Sequence, residues 1–125
     1  SGALIINDAY NASPSSMKSA INTVSEMDYS RKILVLGDIL ELGEYTGTLH
    51  RSIGEHIASM DQNFELLTYG DHSNLISEEA GVASSRHFND LEELGGHLKG
   101  MLNNETVVLL KGSRGMEMER VDKHL

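Results

Sequence analysis

The apolar residues of this chain fall into short aliphatic runs separated by stretches of helical period. Three strong runs and one weaker run stand out: Ala3–Ile6, Ile33–Leu36, Val107–Leu110 and Phe64–Tyr69. Runs without polar alternation are typical of strands that are covered on both faces of a sheet. The three strong runs therefore predict strands at Leu4–Asn7, Ile33–Leu36 and Val107–Leu110, all in one buried sheet. A further short strand within Val82–Phe88 is a weaker prediction, because the centre of that segment is polar.

Between these runs, apolar residues recur with the 3.6-residue period of an amphipathic helix. In the first such stretch Met17, Ile21 and Val24 share one face, and Ser13 and Pro14 precede them as N-cap and first helical residue. Apolar spacing marks three more helices, within Leu49–Met60, Leu75–Ala80 and Leu91–Leu102. Alternating strands and helices predict an α/β fold, a Rossmann-like, mostly parallel sheet with helices on both faces. With 125 residues, the chain is expected to form a single domain.

Charge and composition narrow the classes of partner. Ten Lys and Arg against nineteen Asp and Glu give a formal net charge of −9, which disfavours nucleic acid and anionic membranes as partners. The chain has no cysteine, and no apolar run reaches the roughly 18 residues of a membrane span. We expect a cytoplasmic, monomeric protein. Because the chain starts at Ser1 and an apolar run follows almost at once, we also expect a piece of a longer protein.

Candidate chemistry lies where the predicted strands end, because ligands of open parallel sheets gather at the carboxyl ends of the strands. Glycine stands beside an acid or a base in three of these loops: Gly37–Gly43, Gly70–His72 and Lys111–Gly115. The last loop, with two cations and two glycines, favours an anion or carboxylate ligand, and Ser113 can cap a following helix. Neither GxxxxGK[ST] nor GxGxxG occurs, so the chain has no recognisable triphosphate cradle.

Other chemistries find little support. The six histidines include no HExxH motif and no pair at i and i+4, so surface or capping roles are expected and no metal site is predicted. Ser113 lies outside any GxSxG motif, and no catalytic residue is assigned to the chain.

Three segments taken together resemble the C-terminal domain of the Mur ligases, specifically the MurF type. They are INDAYNASPSSM at 6–17, VLGDILELGEYTGTLHRSIG at 35–54 and VVLLKGSRGMEMERV at 107–121. The resemblance implies that residues 1–125 form one domain of a three-domain ligase. That enzyme uses ATP and Mg²⁺ to join D-alanyl-D-alanine to UDP-N-acetylmuramoyl-tripeptide through an acyl phosphate in peptidoglycan precursor synthesis. The P-loop and magnesium ligands then belong to another domain, so this chain alone is expected to bind no cofactor and to be inactive.

The resemblance also assigns roles to residues of the first motif. Asp8 matches an acid that approaches the nucleotide ribose, and Tyr10 and Asn11 match positions that line the nucleotide and acceptor side of the closed cleft. The family usually has asparagine where Ser13 stands here. Both residue types cap helices, so the fold is expected to be kept.

In the last motif, Lys111, Ser113 and Arg114 match the stretch that faces the incoming amino component, and Arg114 can pair with its carboxylate. We expect these three residues to lie, with Asp8 and Asn11, largely exposed along one edge of the sheet. The middle motif contributes Asp38, Glu41 and His50, to which the resemblance attaches no definite role. Loop structure and contacts with other domains are weighed at least equally with substrate contact for these residues.

Two readings from other classes remain open at this stage. A signalling receiver domain also has acids and a lysine at strand ends, and Asp8, Asp38 and Lys111 imitate that arrangement. Against it, receivers carry an acidic pair after the first strand and a proline after the lysine, whereas this chain has Asn7 and Gly112 at those places. The other reading is a Rossmann-like interaction domain that binds no nucleotide.

Overall fold

The computed structural model describes residues 1–125 apart from the side chain of His124. Five strands form one sheet: β1 Leu4–Asp8, β2 Arg31–Gly37, β3 Phe64–Tyr69, β4 Ser85–Phe88 and β5 Thr106–Lys111. Their order is β1-β5-β2-β3-β4, and every neighbouring pair is parallel. Four α-helices connect the strands: α1 Pro14–Ser25, α2 Thr46–Ala58, α3 Asn74–Ala80 and α4 Leu91–Lys99. The predicted parallel sheet is confirmed, and so are its strands.

The direction in which the chain crosses the sheet decides which face each helix covers. The chain moves one way from β1 to β4 through α1, α2 and α3, and α4 brings it back to β5. Crossovers of one hand therefore place α4 on the opposite face. The two core clusters show this separation, because α1, α2 and α3 share one cluster while α4 and the C-terminal 3₁₀ segment Met118–His124 contribute to the other.

Side chains of the central strands alternate between these two cores. In β2, Leu34 and Leu36 face α1 to α3, whereas Ile33 and Val35 face α4, and all four are buried. β1 is an edge strand, which leaves Leu4 38% exposed. The prediction of a strand covered on both faces is therefore too strong for β1, because edge position was not visible in its apolar run.

The start of α1 agrees with the sequence prediction, whereas the end of α4 does not. At α1, Ser16 N–H donates to Ser13 Oγ over 3.1 Å and Ser13 N–H donates to Ser16 Oγ over 2.9 Å, which confirms Ser13 as N-cap with Pro14 as the first helical residue. At α4, the helix ends at Lys99, earlier than its apolar pattern suggested. Met101 and Leu102 lie beyond the helix and still pack against its core.

Helices α2 and α3 pack closely through a glycine. A Cβ at Gly54 would lie 2.6 Å from Cβ of Glu79 and would also press on the carbonyl oxygen of Ile76. Only a residue without a side chain allows this approach. Among the described residues, no helix has the length and apolar character needed to cross a membrane.

Candidate functional site

The topology places a cleft where β1, β5 and β2 end. The segment after β5 covers one face of the sheet, while α1 and α2, which follow its two neighbours, cover the other. Chain segments that diverge in this way leave a crevice at the carboxyl ends of the strands, where open α/β sheets bind ligands. The predicted site residues lie along this edge, which we call the carboxyl edge. It comprises the loops 7–13, 37–43 and 111–116.

Asp8 and Lys111 form an ion pair at this edge. They are direct neighbours in the β1–β5 register, and Lys111 Nζ lies 2.9 Å from Asp8 Oδ2 and 3.1 Å from the carbonyl oxygen of Asn11. The Lys111 side chain is only 2% exposed, whereas that of Asp8 is 47% exposed. The lysine is thus part of the support beneath Asp8.

The exposure predicted for this site is wrong at two positions, since Lys111 and Ser113 are both buried. Lys111 is the last residue of β5, an interior strand, and it extends the face formed by Val107 and Leu109 against α1. The loop before α1 then covers its ammonium group. Asn11 and Arg114 are exposed, as predicted, and Asp8 is half-exposed.

Ser113 joins two loops of the carboxyl edge. Its N–H donates to the carbonyl oxygen of Asp38 over 2.9 Å, and Leu40 N–H donates to Ser113 Oγ over 2.7 Å. The hydroxyl makes no side-chain cap for the 3₁₀ turn that follows, contrary to the capping role considered for it. A Cβ at Gly112 would lie 3.1 Å from Cα of Gly37, so the two loops meet through glycines.

Arg114 and Tyr10 project from the edge and form a stacked pair. The guanidinium carbon of Arg114 lies 5.1 Å from the ring centroid of Tyr10, within the range of a cation–π contact, and Tyr10 is 75% exposed. Cavities lie on both sides of Arg114. One of 380 Å³ lies beside Asn7, Tyr10 and Glu119, and one of 410 Å³ lies beside Asn11, Glu41 and Ser113, with Arg114 lining both.

Asp38 has a structural role in its loop, which is one of the alternatives that the sequence left open. Its carboxylate is 2% exposed and accepts hydrogen bonds from the N–H groups of Asp71 (2.8 Å), His72 (3.1 Å) and Ser73 (2.7 Å), which lead into α3. A phosphoacceptor needs an accessible carboxylate oxygen, and here both oxygens are engaged. The strand order also differs from the 2-1-3-4-5 order of receiver domains. The receiver interpretation is therefore not supported.

The position of His50 in the structure differs from the predicted one. A surface or capping role was expected, yet its ring is fully buried in α2. Ile39 N–H donates to His50 Nε2 over 3.0 Å, and Nδ1 lies 2.6 Å from the carbonyl oxygen of Thr46. This arrangement requires the neutral ring with its proton on Nδ1. His50 thus fixes the loop after β2, whereas Glu41 in the same loop is exposed, has a positive φ of 63° and lines the larger cavity.

Ionisable groups with shifted pKa values lie at the opposite end of the sheet. A hydrogen bond and ion pair with Arg31 lowers the pKa of the Glu65 carboxyl and raises the pKa of the guanidinium. The pair joins β2 to β3, and Arg31 also donates to the carbonyl oxygen of Met101. Within the part of the chain that the structure describes, no three His, Asp or Glu side chains are grouped to hold a metal ion.

The chain that forms this sheet and carboxyl edge is similar in sequence to the Mur ligases. Residues 1–114 match the family model for the Mur ligase, glutamate ligase domain, and the chain belongs to that family. Its relatives are of the MurF type, which confirms the resemblance found in the three motifs.

The chain is 39% identical to the UDP-N-acetylmuramoyl-tripeptide–D-alanyl-D-alanine ligase of Bacillus subtilis (strain 168), with 100% of this chain and 28% of the relative covered. Two solved structures are similar: MurF ligase from Thermotoga maritima in complex with ADP (27% identity, TM-score 0.83) and MurF from Acinetobacter baumannii (27% identity, TM-score 0.85). Each alignment covers 98% of this chain and 28% of the other. The chain therefore spans little more than a quarter of the length of these proteins.

Proposed function

We propose that this chain is the C-terminal domain of a three-domain, ATP-dependent ligase that joins D-alanyl-D-alanine to UDP-N-acetylmuramoyl-tripeptide. The observation that carries the proposal is the convergence of Asp8, Asn11 and Arg114 on one edge of the sheet, in a chain of the Mur ligase family. The relatives that bear this name are about four times as long, which supports a larger enzyme. A cytoplasmic location goes with the proposal, because ATP is a cytoplasmic compound.

The nucleotide side of the proposed site is formed by Asp8, Tyr10 and Asn11. Lys111 engages Asp8 through Oδ2, and the Asp8 side chain is half-exposed. In this proposal its other oxygen, Oδ1, accepts hydrogen bonds from the ribose hydroxyls. A related MurF structure contains ADP, which supports nucleotide use. Mg²⁺ enters the proposal only as the partner of ATP, and we assign no magnesium ligand to this chain.

The dipeptide side is formed by Arg114. An exposed guanidinium that stacks on an aromatic ring keeps its in-plane N–H donors available to a carboxylate, and Arg–carboxylate pairs are often bidentate. In the proposed reaction, a carboxylate of the tripeptide takes the γ-phosphoryl group of ATP to give an acyl phosphate and ADP. The dipeptide amine then attacks the acyl carbon, phosphate leaves, and the amine loses its proton as the amide forms. Arg114 orients the dipeptide for this attack by holding its carboxylate.

The test uses the longer protein that contains this chain and, beside it, the 125-residue chain alone. With ATP, Mg²⁺, the dipeptide and the muramoyl tripeptide, the longer protein should release phosphate and form the pentapeptide product, detected by mass spectrometry. Omission of any one substrate should abolish product. The chain alone should release no phosphate, because it carries no triphosphate-binding loop. Turnover by the chain alone, or a longer protein that makes no amide from these substrates, would refute the proposal.

A further inference from the structure

The buried ion pair at the carboxyl edge gives Lys111 a task different from the substrate contact that its motif suggested. Lys111 Nζ donates to two oxygens on either side of the loop before α1: the carboxylate of Asp8 at its start and the carbonyl of Asn11 within it. The Lys111 side chain is only 2% exposed, whereas the Asp8 side chain is half-exposed. A substrate that approaches from the cleft therefore meets Asp8 before it meets the lysine.

Burying an ammonium group is costly unless its hydrogen-bond donors are paired. Here the cost is offset by one full negative charge and one carbonyl oxygen, both within hydrogen-bond distance. Because these acceptors are three residues apart in sequence, a single buried ammonium group that donates to both restrains the conformation of the intervening turn. It also selects one rotamer of Asp8, the one in which Oδ2 points inward.

We infer that Lys111 is a positioning residue that holds Asp8 and the 9–12 backbone in the conformation that binds the nucleotide. The nucleotide part of this inference rests on the proposed function, whereas the contact itself does not. Lys111 acts through Asp8, so loss of either residue should damage the same property of the enzyme. If Lys111 contacts the substrate directly, its loss should instead weaken dipeptide binding and leave the nucleotide binding that depends on Asp8 unchanged.

The contact is tested first in the 125-residue chain, by reductive methylation of lysines followed by mass spectrometry. The methylation rate of Lys111 should be at least about tenfold lower than that of the exposed Lys99, because the Lys111 ammonium group must break two hydrogen bonds before it reacts. The variant Asp8→Ala changes a half-exposed residue at the end of an edge strand and should fold. In it, Lys111 should react several times faster while Lys99 is unchanged. Equal rates for the two lysines in the wild-type chain, or no effect of Asp8→Ala on Lys111, would overturn the inference.

The consequence is tested in the longer ligase with Lys111→Met, Asp8→Ala, the double variant and Lys99→Met as a matched control. Lys111→Met should raise the KM for ATP by about tenfold and leave the KM for the dipeptide unchanged. The KM for ATP of the double variant should be no higher than that of Asp8→Ala, because both changes remove the same contact between Lys111 and Asp8. A raised dipeptide KM with normal ATP KM, or effects that multiply in the double variant, would refute the positioning role. If the longer enzyme shows no ligation at all, the proposed function fails, but the methylation rates still show whether Lys111 is held by Asp8. The same rates answer that question if Lys111→Met does not fold.

Discussion

Replacement of Asp38 by alanine should destabilise the domain more than any change to an exposed residue of the carboxyl edge. The carboxylate accepts three backbone N–H donors at 2.7 to 3.1 Å, and hydrogen bonds to a charged group contribute about 1.5 to 3 kcal/mol each. The sum is not simply additive, because water can reach the N–H groups of the exposed Asp71 and His72. The buried N–H of Ser73 has no such replacement. We therefore expect a loss of about 3 to 4 kcal/mol in the free energy of unfolding, out of a typical total of about 5 to 15 kcal/mol.

Urea denaturation of the 125-residue chain, followed by far-UV circular dichroism at pH 7, measures this loss. Asp38→Ala should lower the urea concentration at the midpoint of unfolding without changing the slope m. Asp38→Asn keeps one acceptor oxygen, so its midpoint should lie about halfway between those of the wild type and Asp38→Ala. The control is Asp71→Ala, which removes an exposed carboxylate from the same loop and should cost less than about 0.5 kcal/mol. A loss below about 1 kcal/mol for Asp38→Ala at unchanged m would refute the reasoning.

Three further predictions concern the packing of α2 on α3, a buried histidine and the ion pair between Arg31 and Glu65. Gly54→Ala should lower the free energy of unfolding by about 2 to 3 kcal/mol, because the added methyl group forces α2 away from α3. Gly96→Ala, which has open space around it in α4, should raise the free energy of unfolding by about 0.5 kcal/mol. Equal effects of the two changes in urea titrations would contradict this. His50→Phe should cost about 2 kcal/mol, read as a lower Tm, by leaving the buried N–H of Ile39 without an acceptor. The lowered pKa of Glu65 means that its pair with Arg31 stabilises the fold above the unfolded pKa and that this contribution is lost as pH falls through the folded value. Glu65→Gln should therefore cost up to about 1 kcal/mol at pH 7, a figure reduced by solvent because Arg31 is about one-third exposed, and almost nothing once the pH is below the folded pKa of Glu65. A cost that does not change with pH would contradict this.

Much of the fold could be predicted because its signals are local. The aliphatic run at Ile33–Leu36 needs cover on both faces, and Ser13 and Pro14 begin α1 through contacts within four residues. The carboxyl edge could be predicted in outline, since parallel strands end on the same side.

The missed features depend on contacts between distant parts of the chain. Lys111 at the end of an apolar run looks like a loop cation until Asp8, 103 residues away in sequence, is placed beside it. The burial of Ser113 depends on Leu40, and that of His50 on the loop it holds. Local spacing carries part of this signal, since His50 lies on the apolar face of α2 with Ile53 and Lys111 continues the alternation of β5. The polar partners themselves are set by the strand order β1-β5-β2-β3-β4 and cannot be read from nearby residues.

The most direct test of the central claim compares two variants of the longer ligase, Asp8→Ala and Arg114→Ala, by steady-state kinetics with ATP and D-alanyl-D-alanine varied in turn. Asp8→Ala should raise the KM for ATP and leave that for the dipeptide nearly unchanged. Arg114→Ala should raise the KM for the dipeptide by about 10- to 150-fold, the loss of about 1.5 to 3 kcal/mol expected for a charge-assisted hydrogen bond. Because Arg114 is exposed, the Tm of the 125-residue chain should hardly change. If Arg114→Ala lowers that Tm markedly and leaves the dipeptide kinetics unaltered, Arg114 is a structural residue and the carboxyl edge is not the substrate-facing side of the domain.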